Sequence, residues 1–423
     1  MNRRTRIQIS FVMATHNRCG VLARTLRGIA ACGLDDGDFE ILVVDNASSD
    51  GTAEVAADFG AQVIALDRNG GSCAKAFAVD RVRGRYVVFL DDDSYPRCES
   101  VYRMINHFER DARLAAAGYQ VHLPDGRREG GALPGVFLGC GVGLRVNALR
   151  QCGGLDRTFF MQAEEYDLAF RLVGDGWRVV VFDDLHVEHL KTPQARRNER
   201  TTYYDTCNNL RVAARYLPRG CYRVYRADWR QRYGWLARRE DHGAAYRRGA
   251  RMGRLRGLVE RPQYRARRLS AAALERFFCW AYLERKMAAL AGRGIKRIVF
   301  ADLGKNVYAY VRAASRAGIA VAAIGDDRFA APRRAYRGIP IISREDALAL
   351  GADGVVVANS SPVHGTVTYR ALVGRDRPVY HWFVANQDSE SHRVAAGGFD
   401  HDRGVGLPER GAVARSAAVV ASF

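Results

Sequence analysis

An alternation between Ile7 and Leu90 constrains this chain more than any other feature. Short runs rich in β-branched residues (IQISFVMAT, EILVVD, AQVIAL and RYVVFLDDD) are separated by GVLARTLRGIAA, GTAEVAADFG and SCAKAFAVDRV, which have the periodicity of amphipathic helices. Apolar strands spaced by helices of this length predict a parallel sheet covered on both faces. Ligands of such sheets bind beyond the carboxyl ends of the strands. Polar clusters stand at those ends: Thr15-His16-Asn17-Arg18, Asp45-Asn46, Asp67-Arg68-Asn69 and Asp91-Asp92-Asp93.

Beyond Pro96 the pattern predicts a helix over 100–109, a strand over 114–119, a turn at Pro124-Asp125-Gly126, and helices over 146–152 and 164–173. A strand over 177–182 continues as 185–190 past a turn at Asp183-Asp184. A second alternation starts at Lys296 with RIVFA, a helix over 305–317, AVAAIGDD, IPII, a helix over 344–350, GVVVAN and PVYHW. It predicts a smaller Rossmann-like α/β domain. Its first loop, ADLGKN, has one glycine where the dinucleotide fingerprint needs three, although Asp326 and Asp327 end its second strand. The chain then divides into an α/β domain (1–215), an arginine-rich helical connector (216–294), the Rossmann-like domain (295–386) and a loosely ordered tail (387–423).

A length of 423 residues is enough for two cores. The formal net charge of +19 is concentrated between Lys191 and Leu290, which hold 25 Lys and Arg against 8 Asp and Glu, interleaved with Trp229, Trp235 and Trp280. Such a surface suits phosphates, whether of an anionic membrane, a lipid-linked acceptor or nucleic acid, or is simply a solvated helical face. Leu269, Ala273, Phe277, Trp280, Met287 and Leu290 recur at near-helical spacing, with Arg265, Arg267, Arg268, Arg276, Arg285 and Lys286 beside them. That helix either buries its stripe in the fold or lies in a membrane interface. Nine scattered cysteines without a C-x-x-C pair indicate buried thiols in a reducing compartment. No apolar run spans a bilayer and no signal-peptide core precedes Thr15, so the expected location is cytoplasmic or peripheral on the inner face of a membrane.

Three adjacent aspartates ending an apolar strand repel one another unless a cation neutralises them, which points to a divalent metal; a solvated loop capped by Ser94 is the plain alternative. Five motifs, VMATHNR, ILVVDNASSDGT, RNGGSCAKAFAVDRVRGRYVVFLDDD, FLGCGVGLRVNALRQCGGLDRTFFMQAEEYDLAFRL and HVEHLK, resemble the family 2 glycosyltransferases in sequence and order over the first half of the chain. The resemblance implies a GT-A nucleotide-diphospho-sugar transferase domain. It implies that Thr15, Asn17, Arg18 and Asp45 hold the base and ribose of the donor. It places Asn69, Gly70 and Gly71 in the glycine turn beside the donor, and Asp91 and Asp92 with the nucleotide sugar. It gives Asp93 and His189 the Mg2+ or Mn2+ ion, with His186 the lesser candidate.

The helix start AEEYDL resembles the family's E-D-x-D-L motif, with Glu165 standing where aspartate is usual. By that resemblance Glu165 is the general base, and Glu164 and Asp167 are the fallbacks; two first-turn carboxylates that merely suit the helix dipole are the alternative. Gln194-Ala195-Arg196-Arg197 lacks the tryptophan of the processive Q-x-x-R-W motif, and TTYYDTCNNLRVA resembles a tyrosine-rich stretch of rhamnosyl- and galactofuranosyltransferase-like members. The expected activity is therefore inverting, metal-dependent and non-processive transfer from a UDP- or dTDP-sugar to a glycan or lipid-linked acceptor, in cell-surface glycan or glycolipid synthesis. Two rivals are a sugar-phosphate nucleotidyltransferase, which needs a glycine- and arginine-rich loop where this chain reads ATHNRCG, and an arginine-rich nucleic-acid-binding protein. The second would leave Asp91 to Asp93, Glu165 and His189 without purpose, so no nucleic-acid partner is expected.

Overall fold

The computed structural model describes residues 7–35, 37–191 and 198–383; the tail over 387–423 and the Gln194 to Arg197 motif lie outside them. The chain begins β1 (Ile9–Thr15), α1 (Cys19–Ala30), β2 (Phe39–Asp45), α2 (Thr52–Asp58), β3 (Gln62–Ala65), β4 (Tyr86–Leu90), β5 (Ser94–Pro96), α3 (Cys98–Arg110) and β6 (Leu114–His122). It continues β7 (Arg128–Glu129), β8 (Gly141–Arg145), α4 (Val146–Gln151), α5 (Glu164–Gly174) and β9 (Arg178–His189). These strands form one sheet in the order β3-β2-β1-β4-β8-β6-β9-β5, with β7 on β6. The predicted parallel layer is β3-β2-β1-β4. Antiparallel β8 then turns the sheet into a mixed one.

Local chemistry explains the elements. Leu22, Leu26 and Ile29 give α1 one apolar face, which is buried. β4 is buried along its whole length, as its unbroken apolar run requires. Three expectations are corrected. The stretch after Gly71 is a 3-10 turn over Ser72–Ala78, because Gly71 at φ +69° starts it out of line with an α-helix. Asp183-Asp184 makes no turn: β9 runs through them, and only its register against β6 shifts. The apolar stripe from Leu269 to Leu290 lies on two helices, α9 (Ala271–Phe278) and α10 (Trp280–Gly292), because Cys279 takes the left-handed conformation at φ +53°.

Between the sheets lie α6 (Glu199–Tyr216), α7 (Arg219–Arg239) and α8 (Gly243–Gln263), followed by α9 and α10. Helix α6 is as much part of this layer as of the first domain, since α8 packs along it. The seam is a row of small residues on α8: Ala245, Gly249, Gly253 and Gly257 are buried, and a Cβ at Gly249 or Gly253 would stand 2.6 or 2.8 Å from the carbonyl oxygen of Tyr203 or Cys207. Several arginines are spent internally. Arg211 and Arg215 share Glu260, and Arg215 also reaches Asp156 and Asp167. Leu269, Ala273, Phe277, Met287 and Leu290 are buried in the core, so the stripe is used by the fold and offers no apolar face to a membrane.

The second sheet comprises β10 (Arg297–Ala301), α11 (Val307–Arg316), β11 (Ala320–Gly325), β12 (Ala335–Tyr336), β13 (Ile339–Ile342), α12 (Arg344–Ala349), β14 (Gly354–Val357), α13 (Pro362–Leu372) and β15 (Val379–Tyr380), with its helices. Its order is β12-β13-β11-β10-β14-β15, parallel except for the β12–β13 hairpin. This is the expected smaller α/β domain. One apolar cluster runs from Val12 and Phe89 through Trp229 and Phe277 to Ile298 and Phe300, so the two sheets share a core. Among the described residues no helix is long and apolar enough to cross a membrane.

Candidate active site

The carboxyl ends of β1 and β4, the loop before β8, the start of α5 and the end of β9 enclose a cavity of about 610 Å³. It brings together Thr15, Arg18, Asn69, Gly71, Asp91, Asp92, Asp93, Glu164, Glu165 and His189 from the sequence candidates. Four others do not line it. Asn17, at φ +52°, accepts the Ser49 amide and braces the loop after β2. Asp45 spends its buried carboxylate on Ser48. Gly70 is fixed from behind by Asn46. Asp167 is buried with Arg171, Arg215 and Tyr216, so as a fallback base it cannot reach an acceptor. His186, the lesser metal candidate, faces away from the cavity, toward His122 at 3.0 Å.

Each aspartate of the triplet has its own partner. Asp91 pairs with Lys75 at 2.7 Å, a buried lysine that also donates to the Gly139 carbonyl at 2.8 Å. Asp92 accepts from Thr15 at 2.8 Å and pairs with Arg18 at 3.3 Å. Burial nevertheless pushes its pKa up to about 6, against the opposing charge of Arg18. Asp93 meets Arg18 at 2.9 Å and His189 Nε2 at 3.2 Å. Burial works to raise its pKa, but His189 and Arg18 outweigh it and hold it at about 2.

His189 is fixed from its other nitrogen, since Nδ1 lies 2.8 Å from Glu129 Oε2. Burial opposes its charge, yet hydrogen bonds to Asp93, Cys140 and Glu129 raise its pKa far above the ordinary value, so a proton sits where two carboxylates demand a cation. A carboxylate behind a histidine whose other nitrogen faces a second carboxylate is how metal-ligating histidines are oriented. Asp93 and His189 thus fit a hard divalent cation. Asp91, Cys140 and His189 also bring donor atoms within 4.8 Å of one another. Burial holds Cys140 as a neutral thiol, which suits Mg2+ or Mn2+ less well than an oxygen donor does.

The opposite wall is strained backbone. Phe160, Gln162 and Ala163 all have φ between +65° and +67°, unusual for residues with side chains. The Asn208 amide holds this turn by donating to the carbonyls of Phe159, Met161 and Gln162 at 2.8–3.0 Å. Gly71 supports it from below, where a Cβ would meet the Phe160 carbonyl at 2.2 Å. The turn delivers Glu164 and Glu165 into the cavity at the first turn of α5. Glu164 bonds Ser72, and its Oε2 is buried without a hydrogen-bond partner. Burial first, and then the charge of Glu165, raises its pKa. Burial also raises that of Glu165, helped by Asp91. Burial thus pushes both carboxyls of the pair toward the protonated form.

Sequence reasoning missed Lys75, Glu129, Asn208 and His364. Lys75 stood inside the motif after the glycine turn and Asn208 inside TTYYDTCNNL; Glu129 and His364 had no local signal.

Residues 10–138 match the family model described as glycosyl transferase family 2, so the chain carries that domain within its mixed α/β sheet. A succinoglycan biosynthesis protein, ExoO, of Rhizobium meliloti is 32% identical over 124 residues, 28% of this chain and 35% of that one. The low-salt glycan biosynthesis hexosyltransferase Agl6 of Haloferax volcanii is 34% identical over 128 residues, 30% of this chain and 29% of that one. The chain therefore spans about a third of the length of these relatives. Among solved structures, a mannosyltransferase of Pyrobaculum calidifontis in complex with GDP-Man and Mn2+ is 14% identical, with a TM-score of 0.44, over 74% of this chain and 87% of that one.

Proposed function

We propose that this chain is a family 2 glycosyltransferase that moves a sugar from a nucleoside diphosphate donor to an acceptor hydroxyl, inverting the anomeric centre and adding one sugar at a time. The observation that carries the reading is one cavity with Asp91 to Asp93 and His189 on one wall and Glu165 on the other. The donor is a UDP- or dTDP-sugar and the acceptor a glycan or lipid-linked glycan of the cell surface, in keeping with the glycan biosynthesis for which both relatives are named.

Mechanistically, Glu165 takes the proton of the acceptor hydroxyl as its oxygen bonds to the anomeric carbon; the bond from that carbon to the diphosphate oxygen breaks, and the leaving group departs with the electron pair. Beside it, burial raises the pKa of Glu164, which works against a second negative charge next to the base. Asp93 and His189 would hold a Mg2+ or Mn2+ ion, which would supply electrostatic stabilisation of the departing diphosphate. Arg18 adds fixed positive charge on the same side. Attack and departure on opposite faces make a single displacement that inverts the centre.

The location is a membrane surface, approached by α8. Its outer face exposes Arg247, Arg248, Arg251 and Arg254 together with Leu255, Leu258 and Val259, a combination suited to anionic lipid.

The direct test is a panel of nucleotide sugars assayed for hydrolysis and transfer. Alongside it, nucleoside diphosphate with Mn2+ should raise the melting temperature more than duplex DNA does. A larger rise with DNA, or donor turnover with retained configuration, rejects the reading.

A further inference from the structure

The strand order of the second sheet reverses between β10 and β14, where such sheets open a ligand crevice. Here the crevice is filled. Gly304 packs so closely that a Cβ would lie 2.6 Å from the Ala358 carbonyl oxygen. The Asp302 carboxylate is used by Thr368 at 2.7 Å, Arg344 at 3.0 Å and Asn359 at 3.2 Å.

The segment after β14 faces the first domain. Ser361 caps α13 by accepting the His364 amide, and the first turn of that helix is seated on the loop after β7. Gly130 leaves room for Val363, and a Cβ there would lie 2.6 Å from Val363 Cγ2. Ser360 reaches the Ala132 carbonyl at 3.5 Å. Val363 is buried in this contact and Gly365 packs inward on Asn359 and His381, whereas the side chain between them, His364, is exposed and forms part of the wall of the cavity that holds Glu165 and Asp91 to Asp93.

We infer that the second domain builds a subsite of the catalytic cavity, in which His364 receives a hydroxyl group of the acceptor sugar; the inference rests on the glycosyltransferase reading. The surroundings select that chemistry. Protein on the inner side of the ring lowers its pKa, against the charges of Glu129 and Asp302 and the Gly130 carbonyl. A neutral imidazole whose N–H turns to the Gly130 carbonyl presents a lone pair on its other nitrogen, which accepts the O–H of a sugar hydroxyl.

The test uses the full chain, the nucleotide sugar it hydrolyses fastest, and a series of methyl hexopyranosides as acceptors. His364→Ala should raise the acceptor KM about five- to tenfold while donor hydrolysis in water and nucleoside diphosphate affinity stay at wild-type values. His364→Gln, which keeps a donor and an acceptor, should recover most of the loss. An unmoved acceptor KM in His364→Ala overturns the inference and leaves the glycosyltransferase reading standing, as does a wild type that hydrolyses donor but uses none of the glycosides. A wild type that neither binds nucleoside diphosphate nor turns over any nucleotide sugar removes both.

Discussion

The two sheets of this chain share a topology and differ at the same place. In each, the strand order reverses beside the first strand, between β1 and β4 in one and between β10 and β14 in the other. At the first reversal, Asp91 to Asp93 lie across an open cavity from Glu164 and Glu165, and Lys75, Arg18 and His189 balance only part of that charge. At the second, Asp302 is satisfied by three neighbours, Asp326 accepts the Leu303 amide, and the backbone loops close on each other. Strand order therefore offers a place for a ligand, and the charge left over there decides whether the place is used.

The comparison predicts unequal consequences for the same kind of change. Asp93→Ala should reduce transfer at least about a thousandfold and abolish nucleotide-dependent Mn2+ binding, because it takes an oxygen ligand from the leaving-group side. Equilibrium metal binding and turnover check this, and full activity in chelator would break the contrast. Glu165→Gln should lower kcat about a hundredfold with donor affinity unchanged, measured by steady-state kinetics and calorimetry. At the closed end, Asp302→Ala should cost about 1–3 kcal/mol of stability, read from denaturant midpoints, with donor hydrolysis near wild type.

A fourth expectation concerns Lys305, in the loop after β10. Its ammonium lies 3.8 Å from the Tyr166 ring and 4.7 Å from that of Trp229, with Asn209 Oδ1 at 2.5 Å, and burial lowers its pKa to about 7 despite the charges of Asp205 and Glu165. The unfolded chain keeps this proton up to about pH 10.4, the folded chain only to about 7. Unfolded chains thus bind more protons between those values, and stability from this residue rises as pH climbs through the window. Lys305→Met should flatten the dependence of the denaturation midpoint on pH. The smallest effect is expected at the surface. Binding to vesicles should grow with anionic lipid, weaken with salt and fall severalfold when Arg247, Arg248, Arg251 and Arg254 become Gln.

The sequence made the first sheet legible because its strands are apolar throughout and end in polar clusters, and the same pattern exposed the second sheet. That Asp93, His189 and Glu165 meet in one cavity was legible because chemistry and motif order coincide there. Asp167 was misplaced for a definite reason: its side chain turns away from the cavity wall, and Arg171 and Arg215 draw it inward. Glu129 and His364 were hidden because each acts only through contacts across long stretches of chain. The arginine count of the middle region suggested a surface, yet the row Ala245, Gly249, Gly253 and Gly257, spaced by four, was the more informative signal of helices packed backbone to backbone.

The shared core has a consequence for how the molecule comes apart. Tyr225 donates to Asn306 at 2.6 Å, Trp229 to the Lys305 carbonyl at 3.2 Å, and Lys305 to Asn209 at 2.5 Å, so each of the three regions completes the interior of another. Cutting the chain before β10 would open Tyr225, Trp229 and Tyr166 to water at once. Two sheets that look like separate modules on a map of the sequence should therefore melt in a single calorimetric transition, a cooperative unit that cannot be trimmed to its catalytic half.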